Sequence, residues 1–276
     1  MPTIREALNR AAVLLAAAGV PEPAADAALL LEYVTGEPQL SLRADAGRAL
    51  PPEAQAAFEA LTARRAGREP LQYITGDAPF MGLMLKAAPG VLIPRFDTEV
   101  LCEQALRRLK GGERVLDLCT GSGALAVAIA HARPGTRVFA GDISETALAL
   151  ARENAARIGV PVDCRLGDLF APFAGERFDL IVSNPPYIPS EALPGLMDEV
   201  RREPALALDG GADGLDFYRR IIREAPEHLS PGGWLLLEIG SDQAEAVKAL
   251  LASRYRDIAV YEDLNGLPRA AAGRIG

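Results

Sequence analysis

The sequence predicts an α/β protein: a parallel, doubly wound sheet with helices on both faces, preceded by a small helical bundle and a β-hairpin connector. Three observations carry this. Residues 3–66 show apolar side chains at helical spacing and no strand pattern. From Asp97 onward, short β-branched or apolar runs alternate with helical segments, the signature of βαβ units. Between these regions lie two brief apolar segments interrupted by turn residues.

The elements follow in order. "IREALNRAAVLLAAAG" is helical and stops at Gly19, and "PEPAADAALLLEYVTG" begins beside prolines and stops at Gly36. "PPEAQAAFEALTARRAG" has Pro in its first turn and Gly67 past its end. Residues 80–88 and 90–94 read as the two arms of a hairpin split by Pro89-Gly90. Helices are expected at 97–110, 122–133, 144–158 and 214–228, and strands at 113–118, 136–141, 162–166, 178–183 and 233–239. The expected organisation is a helical domain over 1–75, the connector over 76–95 and the α/β domain over 96–276.

With 49% hydrophobic and 24% charged residues, the 276-residue chain has the composition of a soluble globular protein. No apolar run approaches the roughly 18 residues of a membrane span, and the charged start "MPTIREALNR" does not resemble a signal peptide, so a cytoplasmic location is expected. Cys102, Cys119 and Cys164 lack CxxC spacing, and His131 and His228 are the only histidines, so neither a disulfide framework nor a metal site is expected. The net charge of −8 has the wrong sign for a protein that lives on nucleic acid, and no direct nucleic-acid partner is expected. In the helical segment, eight acidic residues nearly balance six basic ones. Arg64-Arg65, Arg107-Arg108, Arg201-Arg202 and Arg219-Arg220 read as solvated faces.

The chemistry concentrates at the carboxyl ends of four strands. "VLDLCTGSGALAVAIA" turns from strand to helix through Gly121 and Gly123, which let the backbone approach a ligand. Gly121, Gly123 and Ala126 also satisfy the dinucleotide pattern, with Asp142 roughly 20 residues downstream, so a hydride-transfer enzyme stays open on this motif alone. A P-loop is excluded, because no Lys-Ser/Thr pair follows the glycines. Asp117 ends the first sheet strand, Asp142 the second, and Asp168 follows the third; Asn184 ends the fourth, in "IVSNPPYIP". In open α/β sheets, ligands bind beyond these strand ends. Asp142 suits a pair of ribose hydroxyls and Asp168 an exocyclic adenine amine.

Asp117, Gly121-Ser122-Gly123, Asp142, Asp168 and Asn184-Pro185-Pro186-Tyr187 resemble the S-adenosylmethionine-dependent methyltransferases that modify planar amide or amine nitrogens. The segments "QYITGDAPFMGL", "LIPRFDTEVL", "EPALALDGGADGLDFYR" and "DLNGLPR" narrow the resemblance to the HemK/PrmC family, from about residue 70 to the end. The resemblance implies a Rossmann-like class I methyltransferase domain. It also implies transfer of methyl from S-adenosyl-L-methionine to the N5 amide nitrogen of the glutamine in the Gly-Gly-Gln motif of class-1 peptide chain release factors. The helical segment then corresponds to a release-factor-binding domain. The implied cofactor site comprises Asp117, Cys119, Thr120, Gly121, Ser122, Gly123, Asp142, Asp168, Leu169 and Asn184. Asn184 and Pro185 are the implied catalytic pair, and with Pro186 and Tyr187, whose ring offers a flat wall, they form the substrate site. Cys119 departs from the family pattern, standing where a first loop glycine is common. Two rivals remain: an adenine-N6 DNA methyltransferase, which shares the Asn-Pro-Pro-Tyr motif, and a non-enzymatic adaptor that docks on a release factor.

Overall fold

The computed structural model describes all residues, 1–276. They form two compact units, Met1–Gly76 with Met197–Arg202, and Asp77–Leu196 with Glu203–Gly276. The first unit is helical: α1 (Ile4–Ala17), α2 (Pro23–Thr35), α3 (Gln39–Ala44), α4 (Pro52–Ala66) and α5 (Leu71–Thr75). Thr3 opens α1 with a capping box: its hydroxyl accepts the Glu6 N–H while the Glu6 carboxylate accepts the Thr3 N–H. Ile4, Leu15, Leu30, Leu31, Leu42, Leu50 and Phe58 fill the core.

Arg65 does not lie on the solvated face expected of the Arg64-Arg65 pair; it is 5% exposed. Its Nε donates to Asp26 at 2.6 Å and its Nη2 to Glu199 at 2.8 Å, and Arg68 also binds Glu199. Glu199 belongs to the Met197–Arg202 segment, so this ion cluster ties that segment to the helices of its unit. Against burial, which raises it, the bonds from Arg68 and Arg65 hold the Glu199 carboxyl down at about 2.

The second unit opens with a hairpin, β1 (Asp77–Phe80) paired to β2 (Leu83–Lys86). Its turn is Met81-Gly82, not Pro89-Gly90, and residues 90–94 form no strand. The reason is backbone conformation: Met81 (φ +50°) and Gly82 (φ +75°) both adopt the left-handed region that a two-residue hairpin turn requires. Methionine hides that signal, and a Glu99 carboxylate accepting the Met81 N–H at 2.6 Å helps hold it there. Asn154 clamps the edge of β2, accepting the Lys86 N–H at 2.6 Å and donating to the Lys86 carbonyl at 3.1 Å.

The main sheet has seven strands in the order β5-β4-β3-β6-β7-β9-β8: β3 (Arg114–Leu118), β4 (Arg137–Asp142), β5 (Val162–Leu166), β6 (Phe178–Ser183), β7 (Leu229–Glu238), β8 (Arg256–Glu262) and β9 (Pro268–Arg274). The first five pair in parallel, and only β9 runs against its neighbours. Helices α6 (Asp97–Leu106) and α7 (Ala124–Ala132), with Ala155 of α8 (Glu145–Ile158), cover one face; α9 (Asp216–His228) and α10 (Ala244–Leu251) cover the other. Alternation along β6 sends Leu180 and Val182 to the first face and Ile181 to the second, and a register shift between Phe178 and Leu180 turns Phe178 to the second face as well. From β3 the chain winds outward through β4 and β5, then returns to place β6 on the other side of β3. That reversal opens a crevice at the carboxyl ends of β3 and β6, where a doubly wound sheet takes its ligand.

Candidate active site

A cavity of about 300 Å³ occupies this crevice. Residues 119–122 after β3, Asp142, Asp168, Leu169 and Asn184 all line it, as does Pro186. Two non-glycine residues on its wall, Cys119 (φ +56°) and Leu169 (φ +46°), hold left-handed backbone, a strained arrangement that clusters at ligand sites. Cys119 thus adopts the conformation that the commoner glycine would take for free. Burial and then the Asp142 carboxylate push its thiol up to about 12, so it stays protonated near neutral pH.

Asp117 is brought close but not onto the wall. It is fully buried on the α7 side of β3, where its Oδ2 accepts from Thr120 Oγ1 at 2.6 Å and the Ala126 N–H at 3.2 Å. Burial pushes it up to about 7, with those two bonds opposing. It therefore shapes the loop from beneath. Gly123 is not on the wall either: a Cβ there would meet Ala151 Cβ at 2.8 Å, so this glycine lets α7 and α8 approach.

Asp142 faces the cavity with a structured carboxylate. Oδ2 accepts the Gly121 N–H and Oδ1 the Ser144 N–H, each at 2.9 Å, which fixes both oxygens while leaving lone pairs for further donors. Burial raises its pKa, opposed by the Ser144 and Gly121 N–H groups. Asp168 gives one oxygen to Arg220 at 2.6 Å and keeps the other unpaired. Ile143, Leu169 and Phe217 add apolar wall suited to a flat ring.

Asn184 follows β6, which Ser183 anchors by donating from Oγ to the Leu118 carbonyl at 2.8 Å. The Asn184 Nδ2 donates to Thr98 Oγ1 at 3.2 Å, whereas Oδ1 accepts nothing from the protein. The Pro185 carbonyl is equally unengaged. Tyr187 departs from the flat wall expected of it: its ring packs against the core on the α9 side, and its hydroxyl donates to Glu238 Oε1 at 3.2 Å. The backbone here is held from behind. Gln243 Nε2 donates to the Tyr187 carbonyl at 2.9 Å, and Gly210 N–H donates to the Ile188 carbonyl at 2.8 Å.

Several wall residues carry no role that the sequence alone announces. Residues 90–95 and Thr98 form one side, held by Glu203, which accepts the Ile93 N–H at 3.1 Å and binds Arg95. Pro204, Leu206 and Phe217 form another side. Their only signal was membership in "LIPRFDTEVL" and "EPALALDGGADGLDFYR". The glycines of the second motif now have a reason: a Cβ on Gly214 (φ +73°) would sit 2.3 Å from the Tyr187 carbonyl oxygen. Gly214→Ala is expected to displace the Asn184–Tyr187 turn, costing about 1–3 kcal/mol of stability. Turnover should fall while cofactor affinity holds, which paired melting and calorimetry would check.

Comparison with known proteins agrees with this geometry. The PrmC N-terminal domain family matches residues 6–76, and the methyltransferase small domain family matches residues 95–203. A release factor glutamine methyltransferase of Geobacter sulfurreducens is 48% identical over 276 residues, covering 99% of this chain and 97% of the relative. Its counterpart in Moorella thermoacetica is 47% identical, covering 97% and 96%. Among solved structures, the T. thermophilus 16S rRNA N2 G1207 methyltransferase in complex with AdoMet and guanosine aligns with a TM-score of 0.55 at 19% identity. That alignment covers 72% of this chain and 50% of that one. A Pyrococcus furiosus methyltransferase aligns at 0.53 and 21%, covering 71% and 90%. Both structural likenesses speak for the fold. Fold and strand-end residues together define a class I S-adenosylmethionine-dependent methyltransferase. Within that class, the chain belongs to the release factor glutamine methyltransferase family. The adenine-N6 DNA and adaptor readings gain no support, and no helix is long and apolar enough to cross a membrane.

The residues present fit S-adenosylmethionine. Asp142 offers a fixed, two-oxygen acceptor for vicinal hydroxyls, Asp168 keeps one free acceptor oxygen, and the wall between them is apolar.

Proposed function

We propose that this enzyme methylates the N5 side-chain nitrogen of the glutamine in the Gly-Gly-Gln motif of class-1 peptide chain release factors. The observation that carries the reading is the pair of unengaged acceptors, Asn184 Oδ1 on the cavity wall and the adjacent Pro185 carbonyl. A primary amide has two N–H donors and a delocalised lone pair, so it is a poor nucleophile that gains most from orientation. Two acceptors that take both N–H groups hold the nitrogen in one pose and stabilise positive charge developing on it. Bound S-adenosylmethionine supplies an electrophilic methyl group on a sulfonium leaving group. The prolines fix the backbone that carries the Pro185 acceptor, and Pro186 closes the wall beside it.

Asp142, Asp168, Leu169 and the 119–123 loop hold the cofactor in this reading, with Asp117 supporting the loop from within. Residues 1–75 serve as the release-factor-binding domain, 76–95 as the connector and 96–276 as the catalytic domain. The near balance of charge on the helical segment suits a protein partner over a nucleic acid. The decisive experiment incubates purified release factor with enzyme and cofactor and locates the product by mass spectrometry. One added methyl on the Gly-Gly-Gln glutamine is expected; an unmodified factor, or methyl transfer to DNA instead, overturns the assignment.

The division of labour has its own test. Removing the residues before Leu71 is expected to leave cofactor binding intact and to reduce kcat/KM on intact release factor by about tenfold or more, the loss of a docking surface. The Met197–Arg202 segment loses its ion partners in that variant, so cofactor affinity is measured alongside as the report on the catalytic fold. Undiminished kcat/KM would refute the docking role.

A further inference from the structure

We infer that Gln243 is a positioning residue for methyl transfer: its side-chain amide clamps the Tyr187 end of the Asn184–Tyr187 turn and so aims the Asn184 and Pro185 acceptors. The inference rests on the role proposed for those acceptors and adds the group that holds them in place. The turn cannot hold itself through its middle. Pro185 and Pro186 have no N–H to donate, and the Pro185 carbonyl is unengaged. What two consecutive prolines do provide is stiffness. Their φ angles are fixed, and Asn184 and Pro185, each preceding a proline, are confined to extended backbone. A stiff segment is aimed by its ends. Ser183 fixes the first end through its Oγ bond to the Leu118 carbonyl at 2.8 Å. Gln243 fixes the second, with Nε2 donating to the Tyr187 carbonyl at 2.9 Å.

Gln243 is suited to this because its own amide is held at both ends. It is 7% exposed, and it stands just before α10. Nε2 also donates to the Gly214 carbonyl at 3.3 Å, while Oε1 accepts the Gly240 N–H at 3.0 Å and the Tyr218 hydroxyl at 3.2 Å. Exchanging oxygen and nitrogen would set NH2 against an N–H and oxygen against two carbonyls, so the partners settle its orientation. Two glycines make room for it. A Cβ on Gly214 would stand 2.7 Å from Nε2, and one on Gly240 would stand 2.9 Å from Oε1. The donors of this amide converge on the carbonyl that ends the acceptor turn and on the loop whose Gly210 lies against Tyr187.

The test measures kcat and KM with release factor, cofactor Kd by calorimetry, and melting, in Gln243→Met, Gln243→Glu, Asn184→Ala and the double variant Gln243→Met with Asn184→Ala. Activity is read well below each melting midpoint. Gln243→Met keeps the side-chain length and loses the bonds. It is expected to lower kcat about tenfold, the value of one oriented hydrogen bond, with cofactor Kd unchanged. A glutamine that only stabilised the fold would lower the melting midpoint and leave kcat where it was.

Gln243→Glu gives a sharper readout. Its anion has no proton for the Tyr187 carbonyl, whereas its neutral form donates there again while the other oxygen keeps the Gly240 N–H. At saturating cofactor, the ratio of its kcat to wild type should be about tenfold low near about pH 8.5. It should climb toward one as pH falls to about 6, across the range where a buried carboxyl titrates. Tyr187, Tyr218, Glu238 and Asp242 are the titratable groups around this position, and both proteins carry them, so the ratio reports the new carboxyl. In the Asn184→Ala background, Gln243→Met should cost less than its full factor, because one acceptor that it aims is gone. Wild-type kcat in Gln243→Met, a ratio that stays flat with pH, or losses that multiply in the double variant overturns the clamp. Should Gln243→Glu not fold, Gln243→Met and the double variant decide alone. Loss in Asn184→Ala with full kcat in the Gln243 variants sinks only the clamp, whereas full activity in Asn184→Ala sinks the reading beneath it.

Discussion

Asn184→Ala is expected to lower turnover by roughly a hundred- to thousandfold, the usual loss on removing one preorganised partner of a developing charge. The substitution leaves the Pro185 carbonyl in place, so the glutamine amide still enters, held by one N–H and free to swing. The loss should therefore appear in kcat more than in KM, and cofactor affinity should change little. Asn184→Asp sharpens the test. It keeps an oxygen where Oδ1 stood, but it replaces the Nδ2 that donates to Thr98 Oγ1 at 3.2 Å with a second acceptor. Because the donor is lost with the substitution, Asp is expected to be as inactive as Ala. An aspartate variant with substantially more activity than alanine would mean that acceptance alone is the role of Asn184. Wild-type turnover in Asn184→Ala would remove the residue from the mechanism.

How much of this was legible beforehand follows the range of the interactions involved. The β3–β7 alternation was readable because each strand carries its own apolar run, and β5 and β6 begin and end at the expected residues. Asp142, Asp168 and Asn184 were readable because each stands at or just past a strand end, a position that sequence marks directly, whereas Asp117, one residue before the end of β3, proved to be buried beneath the loop. The terminal antiparallel pair was not. β9, "PRAAAGR", is alanine-rich and has no β-branched residue, so its strand character comes from pairing between β7 and β8. The short amphipathic α10 also passed unassigned. The same limit applies inside the site. Residues 90–95 became a cavity wall through Glu203, which lies 110 residues from Ile93 in sequence. Arg65 became a buried ion-pair member through Asp26, 39 residues away, and Glu199, 134 residues away. Local pattern carries no trace of partners at such separations. Tyr187 shows the complementary error: its motif was recognised, yet the direction of its ring depends on Glu238, which no neighbouring residue announces.

Asp142→Ala is expected to weaken S-adenosylmethionine binding by about 2–4 kcal/mol, a fall of roughly thirtyfold to a thousandfold, through loss of a charge-assisted hydrogen-bond pair. The structure adds a second contribution to the same loss. Each carboxylate oxygen already holds a backbone N–H, Gly121 at 2.9 Å and Ser144 at 2.9 Å. Alanine therefore frees the glycine loop as well as removing the acceptor. An asparagine at this position would not repair the loss: its oxygen can keep one N–H, but its NH2 group faces the other donor. Asp142→Asn should thus resemble alanine more than wild type, and melting without cofactor separates loop disorder from lost contact. The wild-type protein offers an independent check through pH. The anion is the acceptor, and burial raises the Asp142 pKa above the ordinary aspartate value despite the Ser144 and Gly121 bonds. Protonation removes the acceptor as pH falls through that raised value, so cofactor affinity should begin to drop at a pH where an exposed aspartate would still be fully ionised. Calorimetry across the acid range would show this as a weakening absent from Asp142→Ala, whose already low affinity should be flat over the same interval. An affinity for Asp142→Ala equal to wild type, or the same acid weakening in both proteins, would place the ribose acceptor elsewhere on the rim.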